Sequence, residues 1–150
     1  MTKIFSYVFA VFLIVSSSVV YAVNLPTEES GNPSAYCKEK WTKRGELDQE
    51  MYSYCLSQEH DGYLNLVSLA NKYANQKWIQ EAVNFSLKKW TNRGVRQDEM
   101  VFYALNKITE GWEDLLYLQK QPGWNQNRFK ACSAKWGIEF DMVVYCYKGD

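Results

Sequence analysis

One phrase occurs twice in this chain. Residues 39–45 read EKWTKRG and residues 88–94 read KKWTNRG. Superposing Trp41 on Trp90 sets a shift of 49 residues. The same shift lays Gly45 on Gly94, Glu50 on Glu99, Met51 on Met100, Tyr54 on Tyr103 and Leu56 on Leu105. It continues to Gly62 on Gly111, Tyr63 on Trp112, Leu66 on Leu115 and Leu69 on Leu118. A third copy opens at ACSAKW (131–136), parallel to YCKEKW (36–41). It runs on into FDMVVYC (140–146), parallel to QEMYSYC (49–55), with an intervening loop shorter by four residues. Trp78 and Trp124 lie twelve residues before Trp90 and Trp136, respectively. A period of this size points to a helical repeat array or a bundle made by internal duplication.

Each unit reads as helices. In SAYCKEKW, Cys37 and Trp41 are four apart and share a face. Arg44-Gly45 reads as a basic last turn followed by a helix-terminating glycine. Next, Leu47, Met51, Tyr54 and Cys55 form an apolar stripe of helical period, with Asp48 and Glu50 at its acid-favouring start. Gly62 reads as a break, after which Leu66, Leu69, Ala70 and Tyr73 line one side of a further helix. One unit is therefore helix A, turn, helix B, break, helix C. The fold class is all-α: about two and a half such units in a small array or bundle, at about 35–76, 77–121 and 122–150. Pro122-Gly123 marks the last C-to-A turn.

The middle copy accounts for the cysteines. Cys37 corresponds to Ser86 and Cys55 to Ala104, while the third copy restores both as Cys132 and Cys146. Residues that appear together and vanish together are expected to bond to each other. The favoured pairing is Cys37–Cys55 and Cys132–Cys146, stapling both ends; cross-linking the end units would give the same pattern of loss. Zinc requires closer ligand pairs than these, and the chain has a single His.

The chain opens with Lys3 and an apolar run from Ile4 to Val15, then Val20-Tyr21-Ala22, the pattern of a signal peptide over 1–22 cleaved after Ala22. Residues 23–34, with two Pro and a Gly, read as a flexible leader. Residues 35–150 form one repeat domain. The expected product is exported, periplasmic or secreted, with no membrane span after signal cleavage. The 17 basic and 17 acidic residues leave no basic field for nucleic acid.

No catalytic, cofactor-binding or metal motif is present, and none of those roles is assigned. His60 reads as a solvated loop residue. Glu50, Glu99 and Asp141 precede the repeated Met and read as helix-dipole partners or as pairs for Arg44 or Arg93. The sequon Asn84-Phe85-Ser86 lies inside a helix. The expected repeat core is Trp41, Met51, Tyr54, Trp78, Trp90, Met100, Tyr103, Trp124, Trp136, Met142 and Tyr145. Tyr117, Tyr147, Phe129 and Phe140 lack same-type counterparts and mark possible surface specialisation. Tyr52, Phe102 and Tyr117 differ between copies and are the expected partner surface. The function expected is a binding or interaction module for a protein or an envelope or extracellular polymer. The alternatives are a glycan- or peptidoglycan-acting hydrolase using a carboxylate pair, and a secreted effector or inhibitor.

Overall fold

The structure, a computed structural model, describes residues 22–149. The signal-peptide reading of 1–22 therefore lies, apart from Ala22, outside the described residues. Helices α1 (Pro33–Trp41), α2 (Gln49–Lys72), α3 (Ile79–Lys89), α4 (Asp98–Gln119), α5 (Gln126–Trp136) and α6 (Phe140–Lys148) pack together. Two short hairpins interrupt them, β1 (Thr42–Lys43) with β2 (Glu46–Leu47) and β3 (Thr91–Asn92) with β4 (Val95–Arg96). The all-α expectation holds. So do both disulfides: Cys37–Cys55 joins α1 to α2, and Cys132–Cys146 joins α5 to α6.

The repeated phrase builds the turn after each helix A. α1 begins at Pro33, whose missing N–H costs nothing in a first turn, with the Asn32 side chain accepting from Ala35 N. It ends at Trp41. β1 (Thr42–Lys43) then pairs with β2 (Glu46–Leu47), Thr42 opposite Leu47. Arg44 and Gly45 have φ of 53° and 87°, and Arg93 and Gly94 have 51° and 78°. Two central residues with positive φ make the type I′ turn that matches strand twist. Arg44-Gly45 is therefore a hairpin tip and not the last turn of helix A. Asp48 N donates to Trp41 O at 3.1 Å, and Gln97 N to Trp90 O at 3.0 Å. Asp48 then caps α2 by accepting from Met51 N. The third copy is four residues shorter because it lacks this hairpin; Gly137, with φ of 55°, turns the chain directly into α6.

Gly62 and Gly111 do not break their helices. α2 and α4 run straight through them, so helices B and C of each unit are one long helix. A Cβ at Gly62 would overlap backbone atoms of Asp98 and Glu99, and one at Gly111 those of Phe140 and Asp141. The glycines let the start of the next unit's helix press against the long helix. This crossing, made twice, is the joint between repeats.

The main core lies at the first joint: Leu66, Ala70, Ile79, Val83, Val101, Leu105 and Ile108 are buried together. A second cluster holds Leu115, Cys132, Val143 and Val144. Each fully buried Leu, Ile or Val contributes about 1.5–3 kcal/mol. Trp78, Trp112 and Phe140 bridge the two, with mutual ring-centroid distances of 5.3–5.5 Å.

The segment expected to be a flexible leader is held against the core. Val23 and Leu25 pack on the main cluster. Asn24 N donates to Gln80 Oε1 at 2.7 Å, and Gln80 Nε2 returns a bond to Asn24 O at 3.1 Å. Arg96 Nη2 donates to Thr27 O at 2.9 Å, and Arg96 Nη1 to Ser30 Oγ at 3.3 Å. Polar composition hid this: carbonyls of the leader join Asp98 in satisfying a buried guanidinium.

Candidate functional site

The joints supply one chemically rich cluster. At the first, Glu59 is 2% exposed and Arg96 and Asp98 are also buried. The Arg96 guanidinium donates to both carboxylate oxygens of Asp98, and a Glu59 oxygen accepts from the Asp98 backbone N–H. Glu59 thus caps α4 from the preceding repeat. Burial pushes the Glu59 carboxyl above the ordinary range, while the backbone N–H groups of Asp98 and Glu99 hold it down. Burial also raises Asp98, opposed by Arg96. At the second joint the equivalent positions are Ile108, Ile138 and Phe140. The same backbone crossing is built once from charges and once from hydrocarbon.

Two surface clefts are also related by the repeat. Lys40, Trp41, Tyr54, Gln58, Glu59 and Glu99 line the first, of about 90 Å3. Lys89, Trp90, Tyr103, Lys107, Ile108 and Asp141 line the corresponding places of the second, of about 150 Å3. Each cleft takes Lys-Trp from the end of a helix A, Tyr from the long helix, and a carboxylate from the start of the next unit's helix. Glu139 and Phe85 extend the second, where Lys89 meets Glu139 at 3.6 Å. In the third copy Lys135 lies over the Trp136 ring at 5.1 Å. The indole N–H groups of Trp41 and Trp90 are buried without a protein acceptor.

The tyrosines are the decisive feature. Tyr54, Tyr103 and Tyr145, expected in the core, are 58%, 53% and 54% exposed. The inward stripe of α2 is Cys55, Glu59, Gly62, Leu66 and Ala70. Tyr54 precedes Cys55 by one residue, about 100° around the helix. The three copies therefore repeat one exposed aromatic that packing does not require. No protein-family model, curated protein or solved structure matches the chain.

Other expected site residues divide. Trp41, Trp78, Trp90, Trp124, Trp136, Met51, Met100 and Met142 are half-buried, as packing residues are. Of the expected partner surface, Tyr117 is 64% exposed. Phe102 packs against the main core, and Tyr52 is half-buried with its hydroxyl 3.5 Å from Ser34 Oγ. Tyr52 aligns with fully buried Val101, so its direction is inward. Phe129, Phe140 and Tyr147 pack rather than project; Tyr147 stacks on Trp124 at 4.6 Å. His60 lies within α2, not in a loop, and its Nδ1 is 3.0 Å from a Glu28 oxygen. Ser86 of the sequon is buried and donates to Ala82 O. Among the described residues no cluster of ligating side chains could hold a metal.

Proposed function

We propose that this chain is an exported binding module, periplasmic or secreted, whose working face is the repeated set Tyr54, Tyr103 and Tyr145 with the adjoining Lys-Trp clefts. The observation that supports it is the exposure of an aromatic residue present in all three copies. Exposed aromatics are costly to leave in water and are the residues that dominate recognition surfaces. Helical arrays present such equivalent positions in series to one partner. Two disulfides, and the lack among described residues of any helix long and apolar enough to cross a membrane, are consistent with export.

The test is capture on immobilised oxidised protein from envelope and culture-supernatant extracts, with and without serine at the three tyrosines. A component retained only by the parent chain supports the reading; identical retention contradicts it.

The hydrolase alternative keeps one supporting observation: Glu59 and Glu99 line the same small cleft, and the Glu59 carboxyl is shifted upward. Against it, Glu59 is occupied as the α4 cap, and the second cleft carries Ile108 in its place. Turnover of peptidoglycan or oligosaccharide that Glu59→Gln abolishes would establish this alternative.

A further inference from the structure

We infer that the ligand of the repeated face is a glycan chain, contacted at more than one sugar by the two clefts. This rests on the binding-module reading and adds the chemistry of the ligand.

Neither cleft is large enough to enclose a drug-sized molecule. At about 90 and 150 Å3 they fall below the roughly 300–1,000 Å3 of drug-sized sites. Each takes one ring-sized group. Because the repeat relates the two clefts, a ligand that satisfies the first offers a like group to the second only if it is itself repetitive.

Their chemistry selects among repetitive ligands. In the first, Lys40 and Glu99 share the lining, and Glu59 accepts from the Asp98 backbone N–H. In the second, Lys89 meets Glu139 at 3.6 Å and Lys107 meets Glu110 at 2.8 Å, with Asp141 also in the lining. Charge is mixed in both, so neither attracts a polyanion such as nucleic acid, which needs a one-sign field. What remains is a half-exposed tyrosine ring beside ammonium and carboxylate groups. That combination suits a pyranose ring, whose C–H face lies on an aromatic ring while its hydroxyls both donate and accept.

A peptide fits less well. A bound helix needs a continuous apolar groove, whereas these are separate clefts rimmed by charge. A bound strand needs a free sheet edge, and the strands here are two residues long.

The experiment is isothermal titration calorimetry of the oxidised protein. The probes are a disaccharide, longer β-1,4-linked oligosaccharides, and solubilised peptidoglycan strands. The expected result is affinity rising at least about tenfold from the disaccharide to the longer chain as a second cleft engages, and lost in Tyr54→Ser/Tyr103→Ser. Far-ultraviolet circular dichroism checks that this variant is folded. Equal affinity for short and long chains overturns the inference. If no glycan binds while a protein is captured through the tyrosines, the glycan class is overturned and the binding-module reading stands. If neither binds, both are overturned.

Discussion

The carboxylate of Glu59 accepts the backbone N–H of Asp98, so a side chain of one repeat caps the long helix of the next. A raised carboxyl pKa gives this bond a pH signature. The unfolded chain ionises Glu59 in the ordinary carboxylate range, and the folded chain retains the proton to higher pH. Folding takes up protons between those values, so this contribution to stability grows as pH falls through the window and levels off below it. Glu59→Gln keeps an acceptor for the N–H and removes the titration. From neutral pH to about pH 5, stability measured by urea unfolding is expected to shift in favour of the parent chain relative to this variant. A constant difference between the two would show that Glu59 does not titrate with folding.

The two joints predict that one can replace the other. Arg96→Ala alone leaves Asp98 buried without its cation and is expected to cost about 3–5 kcal/mol. Glu59→Ile/Arg96→Ile/Asp98→Phe copies the apolar joint into the charged one. Despite three changes it is expected to be more stable than the single variant, since buried ion clusters often exchange for hydrocarbon at little cost. The order of the two urea midpoints decides the matter.

At Gly62 and Gly111 the ordinary helix rule is reversed. Alanine inside a helix normally stabilises by about 0.5–1 kcal/mol relative to glycine. Here its Cβ would meet backbone of the next repeat, which cannot move aside as a flexible side chain could. Gly62→Ala and Gly111→Ala are each expected to destabilise by at least about 1–3 kcal/mol in thermal or urea unfolding. A gain at either would mean the joint is looser than described.

The middle unit can be stapled like its neighbours. Ser86 and Ala104 are buried and stand where Cys37 and Cys55 stand in the first copy, with the same separation of 18. Ser86→Cys/Ala104→Cys is expected to form a third disulfide under oxidising conditions, worth up to about 3 kcal/mol. Thiol titration checks its formation, and free thiols in the folded oxidised protein would contradict the equivalence of the units.

The repeat and the disulfides were legible because both are relations within the sequence. The joint loss of two cysteines from the middle copy favoured pairing within each end unit, and the geometry decides it over a cross-link between the end units. Gly62 was misread because helix propensity counts only what glycine costs locally, while its reason is a backbone from another repeat. Arg44-Gly45 was misread because strands of two residues are too short to show alternation. Tyr54 and Cys55 both fit a helical stripe, and only the disulfide fixes which of them faces inward. The charged joint was not legible at all: Glu59, Arg96 and Asp98 share no motif, and only the fold brings them together.

The most direct test of the account is retention of the captured component by Tyr54→Ser/Tyr103→Ser/Tyr145→Ser, compared with its stability. Exposed side chains removed from a surface should change folding by only about 0.5 kcal/mol each. The account predicts a near-parental melting transition and binding weakened at least about tenfold. A variant that folds like the parent chain and binds like it would contradict the claim that the repeated tyrosines are the working face.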